Sequence, residues 1–201
     1  MCGVCFKKDQ LSYLVEIGVK DSKKLSTKRR STLAKLIKDK CHSFKILIVP
    51  PEEIDQREEK RITMNELEEL KMAEIIRELK PSSIYIDAVD VNEDRFRDSI
   101  LNLLDYSPEE IISKHKADDL FPIVSAASII AKDKRDTLIE EMKEKYGDFG
   151  SGYPSDKRTI DFLRKWIKKN KKVPHFARKS WATTKKILDE ELSNRKITDF
   201  F

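Results

Sequence analysis

The stretch SSIYIDAVD (residues 82–90) predicts a short buried strand that ends on a carboxylate. Ile84, Tyr85 and Ile86 form an apolar run typical of a buried strand, and Asp87 closes it. In an open α/β sheet, ligands bind outside the carboxyl ends of the strands. We therefore expect Asp87 to lie in a functional cleft. The alternative is that Asp87 serves only as a turn or helix-cap residue.

Strands alternate with helices along most of the chain, which indicates an α/β domain followed by helices. Thr63 and Glu66 form a capping box that predicts the start of a helix, and Lys80-Pro81 predicts its end. The loop GDFGSGYPSD (residues 147–156) holds three of the five glycines. The predicted strands cover residues 44–49, 83–87 and 110–114, and the predicted helices cover residues 64–79, 93–104, 123–145, 156–169 and 181–194.

The charge of the chain is concentrated in one segment. The 201 residues carry a net charge of +5, but residues 156–186 hold twelve Lys and Arg against two Asp. Such a basic block indicates a polyanionic partner, although a solvated lysine face is the alternative. Trp166, His175, Phe176 and Trp181 lie among these charges and favour nucleic acid as that partner.

Two further features narrow the class of protein. No stretch approaches the roughly 18 apolar residues of a membrane span, so we expect no membrane partner. The three cysteines are odd in number, which fits a reducing cytoplasm better than a disulfide framework. Cys2-x-x-Cys5 has no second pair, and we interpret both cysteines as small strand residues.

A second acidic site lies in HKADDLFP (residues 115–122), between a predicted strand and a long helix. Asp118 and Asp119 follow this strand as Asp87 follows its own. Hard divalent cations such as Mg²⁺ prefer carboxylate oxygens, so two strand-end aspartates that meet in space could hold one. A cap or turn role is the alternative for these residues too.

Five stretches together resemble ribonuclease HII, the type 2 ribonuclease H, in its archaeal form. They occur in the order and at the spacing of that family, and the resemblance covers essentially the whole chain. The stretches are GVKDSKKLSTKRR (18–30), YIDAVDVNEDRF (85–96), HKADDLFPIVSAASIIAK (115–132), YGDFGSGYPSD (146–156) and ARKSWATTKKIL (177–188).

The resemblance implies an α/β fold, a ribonuclease H-like mixed sheet flanked by helices, with a C-terminal helical appendage. By resemblance, residues 1–155 form that domain, residues 156–192 the basic helical appendage and residues 193–201 a tail. The implied activity is endonucleolytic cleavage of the RNA strand of RNA/DNA hybrids and incision 5′ of ribonucleotides in duplex DNA. It leaves a 5′-phosphate and a 3′-OH, and the enzyme is expected to act as a monomer.

The resemblance also implies a metal site for Mn²⁺ or Mg²⁺. Asp87 matches the third metal-site carboxylate of the family and Asp118 the fourth, whereas Asp119 matches a position that is not a ligand. These two aspartates are therefore the predicted catalytic and metal-binding residues.

One part of the family pattern is missing. The first two carboxylates belong to an Asp-Glu-Ala-Gly-Arg-Gly motif on the first strand, and MCGVCF (residues 1–6) resembles the second strand. We expect the chain to begin late, to lack that strand and its ribose-contacting loop, and to be weakly active or inactive as written. The hypothesis is a gene start placed too far downstream, or a fragment. The alternative is a non-catalytic nucleic-acid- and clamp-binding protein that has lost its metal site.

Other residues are predicted substrate contacts by resemblance and by charge. Tyr153 is expected to pack on the sugar, Lys23 to pair with a phosphate, and Ser125 to offer its hydroxyl and N–H to phosphate. His115 and Lys116 would assist the leaving group or bind phosphate. The basic appendage would clamp the backbone without reading sequence through Arg178 and Lys179. Structural roles are the alternatives, such as an ordinary turn tyrosine at Tyr153.

The final residues NRKITDFF (194–201) resemble a sliding-clamp-binding box. Ile197, Phe200 and Phe201 would form one apolar plug that docks in a hydrophobic pocket of the clamp. Asn194 stands where the motif usually has Gln. The alternative is a tail that packs against its own core.

Overall fold

The computed structural model of the chain describes residues 1–19 and 25–193. Spatial contacts divide the chain into two compact units. Unit 1 comprises Met1–Ile48 and Thr63–Asp136, and unit 2 comprises Val49–Ile62 and the chain from Thr137 onward. This division does not coincide with the boundaries at residues 155 and 192, which stay predictions about domain organisation.

Short strands alternate with helices in the first two thirds of the described chain, and helices follow. The order is β1 (Cys2–Cys5), a 3₁₀ turn (Lys8–Gln10), α1 (Ser12–Glu16), α2 (Thr27–Lys40), β2 (Ser43–Ile46), α3 (Pro51–Gln56), α4 (Met64–Leu79), β3 (Ser83–Asp87), α5 (Glu93–Asn102), β4 (Glu110–Lys114), α6 (Ala117–Leu120), α7 (Pro122–Tyr146), α8 (Lys157–Asn170) and α9 (Ala182–Ser193).

The strands form two pairs within the described residues, and both lie in unit 1. β1 runs antiparallel to β2, with Cys2 opposite Ile46, and β3 runs parallel to β4, with Asp87 opposite Lys114. The predicted α/β class with mixed strand directions is confirmed. The predicted strand 44–49 is shorter in the structure, because its four-residue partner β1 runs out.

Local sequence signals explain the ends of α4. The Thr63 hydroxyl accepts a hydrogen bond from Glu66 N, and the Glu66 carboxylate accepts one from Thr63 N at 2.6 Å. The predicted capping box is therefore confirmed. The helix ends at Lys80, which adopts a left-handed conformation with φ of 46° before Pro81. The helix therefore ends just before Pro81, and β3 begins at Ser83.

Unit 1 has two hydrophobic clusters that hold β3 in place. Phe96 and Ile100, one turn apart on α5, pack with Ile84 and Ile86 of β3 and Ile76 of α4. The second cluster joins α1, α2 and α7, and its members are Leu14, Val19, Leu33, Ala34, Ile37, Ala126, Ile129 and Ile130. Because α5 and α4 cover β3, the strand carries Asp87 to a fixed place.

Unit 2 is held by helix packing and by aromatic rings. Leu163 and Ile167 of α8 pack against Ile187 of α9. A second group of rings within this unit makes mutual contacts at centroid distances of 4.6–6.2 Å, and its members are Tyr146, Phe149, Phe162, Trp166, His175 and Phe176. Several aromatic residues of the basic segment therefore pack against other rings of unit 2.

The glycine loop of unit 2 is organised around Asp156. The carboxylate of Asp156 accepts hydrogen bonds from Ser151 N at 2.7 Å and Arg158 N at 3.0 Å, and these bonds lower its pKa to about 2. Gly150 has φ of +78°, and a Cβ at this position would lie 2.5 Å from Asp156 Oδ2. Only glycine permits both the conformation and the close approach.

None of the helices in the described ranges combines the length and the apolar character that crossing a bilayer requires.

Replacing Phe96 by Ala tests the core that holds β3. Phe96 is fully buried, so the cavity should lower the free energy of unfolding by about 3–5 kcal/mol. Urea denaturation followed by circular dichroism measures the change. Val91→Ala is the control, because Val91 is 93% exposed and its loss should change stability by less than about 0.5 kcal/mol. Equal effects of both substitutions would contradict this assignment of the core.

Candidate active site at the carboxyl end of β3

Asp87 is held at the end of β3 by a hydrogen bond from the next strand's loop. Its Oδ1 accepts the backbone N–H of Ala117 at 3.0 Å. The chain can present this N–H because Lys116 adopts a left-handed conformation, with φ of 54°, just before α6. Such a conformation is uncommon for a residue other than glycine, and it is often found at functional sites.

Asp118 follows Ala117 directly, so its Cα lies about 3.8 Å from that of Ala117. Its side chain is buried, with 8% of the residue exposed, whereas Asp119 is exposed. Asp87 and Asp118 both line one cleft of about 640 Å³ within unit 1, and Asp119 is not part of its lining. The structure thus brings the two predicted carboxylates together and leaves the third apart.

The loop after β3 is fixed by a second carboxylate. Asp90 is buried, and its carboxylate accepts hydrogen bonds from Asn92 N at 2.9 Å and from both Nε and Nη2 of Arg95. These bonds, that of Asn92 N first, lower the pKa of Asp90. Asn92 in turn caps α5 by accepting Arg95 N. The backbone that follows Asp87 is therefore rigid.

A third carboxylate joins this loop to the loop after β4. Glu93 accepts hydrogen bonds from Lys114 Nζ at 2.8 Å and from His115 N at 2.7 Å, and these interactions lower its pKa. The His115 ring lies 3.2 Å from the carbonyl oxygen of Val91 through Nε2. Together with the bond from Ala117 to Asp87, these contacts hold the two aspartate-bearing loops against each other.

The donor set fits a single hard divalent cation. Mg²⁺ in proteins usually takes one or two carboxylates, and it fills its other positions with water and substrate phosphate. Asp87 and Asp118 supply such a pair at one cleft. Among residues 1–19 and 25–193, no group of three or more His, Cys, Asp or Glu side chains is placed to hold a metal ion. Their role as metal ligands stays a prediction.

The structure refines the roles predicted for three further residues of unit 1. Ser125 is buried, and its N–H donates to the carbonyl of Phe121 at 3.1 Å. This N–H is used inside the protein, and the substrate role of Ser125 stays a prediction. Its hydroxyl has no hydrogen-bond partner in the described structure. His115 and Lys116 are exposed beside the aspartates, and their substrate roles stay predictions.

The remaining predicted contacts lie elsewhere in the chain. Tyr153 of unit 2 is half exposed in the glycine loop. The guanidinium of Arg178 lies 5.4 Å from the ring centroid of Trp181, and the backbone N–H of Lys179 donates to Asp55 at 2.8 Å, both within unit 2. Lys23, Ile197, Phe200 and Phe201 lie outside the described residues. All these roles stay predictions.

Sequence reasoning missed the carboxylates that position the site. Asp90 and Glu93 lie in the stretch DVNED (residues 90–94) that follows β3. The detectable signal was the helix cap, since Asn92 precedes the first turn of α5. The partners of Asp90 are the nearby Asn92 and Arg95. The partners of Glu93 are Lys114 and His115, which lie at the end of β4 and just after it, and they could not be identified without the pairing of β3 with β4.

Comparison with known proteins agrees with this geometry. The sequence profile described as Ribonuclease HII matches residues 1–184. The chain is 45% identical to Ribonuclease HII of Methanocella arvoryzae over 196 residues, which cover 97% of this chain and 87% of that protein.

Solved structures agree as well. The crystal structure of ribonuclease H2 from Pyrococcus horikoshii OT3 superposes with a TM-score of 0.88 at 41% identity, covering 94% of this chain and 89% of that one. RNase HII in the PCNA:RNase HII complex from Archaeoglobus fulgidus gives 0.78 at 39% identity, with 89% and 82% covered. Bst-RNase HIII in complex with Mn²⁺ shares the fold, with a TM-score of 0.72 at 18% identity, and covers 92% of this chain and 62% of that one.

Asp90→Asn tests whether this carboxylate orders the loop beside Asp87. Losing the charge that binds Arg95 should speed amide hydrogen exchange at Asn92 and Arg95. Asp94→Asn is the control, because Asp94 lies nearby in the first turn of α5 but pairs with Arg97 at the surface. In the unchanged protein, exchange at Asn92 should quicken only as the pH falls below the ordinary Asp value of 3.8, since the pKa of Asp90 is lowered. Slow exchange in Asp90→Asn would contradict the assignment.

Proposed function

The chain belongs to the ribonuclease HII family, and we propose that the cleft holding Asp87 and Asp118 is where it cuts nucleic acid. It is an endoribonuclease of the ribonuclease H type that hydrolyses the RNA strand of RNA/DNA hybrids. We propose in addition that it incises 5′ of single ribonucleotides in duplex DNA and leaves a 5′-phosphate and a 3′-OH. The cell would use this activity to remove ribonucleotides from replicated DNA.

One observation carries the proposal: Asp87, at the end of β3, and Asp118, in the short helix α6 that follows β4, line the same cleft. A cap role alone would not require this convergence. Asp118 is buried and still lines this cleft. The non-catalytic alternative loses support for the same reason, because this pair of carboxylates would be unnecessary in a binding module.

Residues at the cleft have different proposed roles in phosphodiester hydrolysis. A divalent ion, which we propose to be Mn²⁺ or Mg²⁺, activates water and stabilises charge on the phosphate when it is bound. Asp87 and Asp118 would hold it. The Ala117 N–H keeps the carboxylate of Asp87 in one orientation. Lys116 beside them carries a positive charge that suits a phosphate oxygen of the substrate.

Substrate binding outside the cleft rests on charge. Arg178 and Lys179 belong to the basic segment of residues 156–186, and such residues hold the phosphate backbone without reading sequence. The Asp55 carboxylate accepts hydrogen bonds from the backbone N–H groups of Lys179 and Ser180, and this fixes the backbone that carries the two basic side chains. We also propose that Tyr153 packs on a sugar, since it is exposed in the glycine loop.

Asp118→Asn tests the proposed chemistry against Asp119→Asn as a matched control. We expect slow cleavage of an RNA/DNA hybrid by the 201-residue chain in excess Mn²⁺, because Asp87 and Asp118 are only two of the four metal-site carboxylates that the family resemblance implies. Asp118→Asn and Asp87→Asn should each lower this rate by more than about 100-fold. Losing a residue that only hydrogen-bonds to a metal ligand costs about 10–100-fold, so a larger loss indicates a ligand. Gel analysis of a labelled RNA strand measures the rate.

Asp119→Asn should leave the rate nearly unchanged, because Asp119 is exposed and not part of the cleft lining. Direct Mn²⁺ binding, measured by electron paramagnetic resonance, should weaken in Asp87→Asn and Asp118→Asn but not in Asp119→Asn. The assignment would be wrong if cleavage survived both Asp87→Asn and Asp118→Asn.

We propose that the tail binds the replication sliding clamp. The RNase HII of Archaeoglobus fulgidus forms a complex with PCNA, and residues 194–201 end in the aliphatic-x-x-aromatic-aromatic pattern ITDFF. Removing residues 194–201 should abolish capture by immobilised clamp and leave the circular dichroism spectrum unchanged. Phe200→Ala should weaken capture, whereas Thr198→Ala, a spacer position, should not. Undiminished capture after the deletion would end this proposal.

Action as a monomer in the cytoplasm is a further proposal. Cys2, Cys5 and Cys41 are all free thiols, and burial raises the pKa of the Cys2 thiol to about 12. A protonated thiol of this kind is poorly reactive. Free thiols are typical of proteins in a reducing compartment.

A further inference from the structure

The helix α6, which carries Asp118, is only one turn long. It spans Ala117–Leu120, and a helix of this length is not stable by itself, because its few hydrogen bonds do not offset the conformational entropy lost in fixing the first turn. Phe121 ends the helix in an extended conformation, with φ of −120° and ψ of 114°. Pro122 favours this conformation in the residue that precedes it. Neighbouring parts of the protein must therefore hold Asp118 in place.

Two side chains on one face of β3 contact the two ends of this helix. Side chains alternate between the faces of a strand, so Tyr85 and Asp87 lie on the face opposite to the one that packs with α4 and α5. At the start of α6, the carboxylate of Asp87 accepts the N–H of Ala117 at 3.0 Å. At its end, the ring of Tyr85 contacts the ring of Phe121, with centroids 5.0 Å and planes 53° apart, a favourable arrangement for two aromatic rings.

The ring of Tyr85 is itself fixed within unit 1. Its hydroxyl donates to Glu110 Oε2 at 3.2 Å. Glu110 begins β4 and lies opposite Ser83 in the strand pairing, so the hydroxyl is directed toward the start of β3 and away from Asp87. The side chain is half-buried and lines the cleft that contains the two aspartates. Tyr85 is therefore placed to act on the site through its ring and not through its hydroxyl.

Phe121 is bonded to the helices on both sides of it. Its N–H donates to the carbonyl of Ala117 at 2.8 Å, which closes the turn that contains Asp118. Its carbonyl accepts the N–H groups of Val124 and Ser125 in the first turn of α7, at 3.0 and 3.1 Å. A displacement of Phe121 would therefore also displace the backbone that carries Asp118.

We propose that Tyr85 is a positioning residue for the cation site: its ring holds Phe121, and through Phe121 it keeps the carboxylate of Asp118 at the cleft beside Asp87. Tyr85 acts by packing and contacts neither the cation nor the substrate. This inference rests on the proposed role of Asp118 as a metal ligand. The alternative is that Tyr85 only fills space, in which case its loss would lower stability without a change specific to α6.

The test compares Tyr85→Ala with Tyr106→Ala in the 201-residue chain. Tyr106 is a matched control, because it is also half-buried in unit 1 and its hydroxyl donates to the carbonyl of Pro81 at 2.8 Å. Its ring packs against the cluster that contains Phe96 and Ile100 instead of against α6. Both substitutions remove a tyrosine ring, and only the first removes the contact with Phe121.

Amide hydrogen exchange is the first readout. The N–H groups of Asp119 and Phe121 donate to the carbonyls of Lys116 and Ala117, so their exchange reports the opening of α6. Tyr85→Ala should speed exchange at both positions by at least about tenfold, whereas Tyr106→Ala should not. Exchange at Ile37, a buried residue within α2, reports whether each variant is folded. If Tyr85→Ala failed to fold, Tyr85→Leu would replace it, because leucine keeps apolar volume without a ring.

Mn²⁺ binding measured by electron paramagnetic resonance is the second readout. Tyr85→Ala should weaken binding by about tenfold, at the lower end of what loss of a ligand's partner costs, and Tyr106→Ala should leave it unchanged. Tyr85→Phe keeps the ring, so it should retain both the affinity and the slow exchange. Phe121→Ala should reproduce the effects of Tyr85→Ala. The double variant should be little worse than Phe121→Ala alone, because both residues act through one contact.

Three results would overturn the inference. The first is unchanged Mn²⁺ affinity in Tyr85→Ala when Asp118→Asn weakens binding, and the second is equal effects of Tyr85→Phe and Tyr85→Ala. The third is an equal effect of Tyr106→Ala on either readout. Failure of the proposed function gives a different pattern, in which Asp118→Asn leaves Mn²⁺ binding unchanged. Faster exchange at Asp119 in Tyr85→Ala would then still show that Tyr85 holds α6.

Discussion

The hydrogen bond from the Ala117 N–H to the carboxylate of Asp87 is the interaction on which the site depends. It ties the end of β3 to the start of α6, and Asp118 is the next residue. Lys116 adopts a left-handed conformation that presents this N–H. The surrounding contacts stabilise this conformation. Glu93 binds both Lys114 and His115, and Asp90 holds Arg95. Three carboxylates therefore order the backbone beside the cleft. Asp87 belongs to the predicted ligand pair, whereas Asp90 and Glu93 do not.

A second constraint comes from the strand edges. β3 pairs with β4 along one edge, and β1 pairs with β2 along one edge. Among the described residues neither β1 nor β3 has a second partner strand, and both line the cleft. An unpaired strand edge is a template for pairing with another chain, so the cleft concerns both the stability of the protein and the surroundings of Asp87.

Membership of the ribonuclease HII family accounts for the agreement between motif and geometry. SSIYIDAVD was recognisable because it ends a strand on a carboxylate, and HKADDLFP because its aspartates lie between a strand and a long helix. Ser125 shows the limit of such reasoning. Its place near the start of α7 suggested an N–H for phosphate, but helical hydrogen bonding to Phe121 uses that donor. Trp166 and Phe176 lie in the basic segment, and their half-buried rings contact one another within unit 2.

Local signals in the sequence were sufficient for the elements around the site. The capping box at Thr63, the stop at Lys80-Pro81 and the apolar run 84–86 determined α4 and β3 within a residue or two, because caps, prolines and periodicity act over a few positions. Only the tertiary structure decided that Asp87 and Asp118 share a cleft, that Asp90 and Glu93 support it, and that β1 and β3 both line it. These facts depend on register and on contacts between residues far apart in the chain, and no local pattern encodes them.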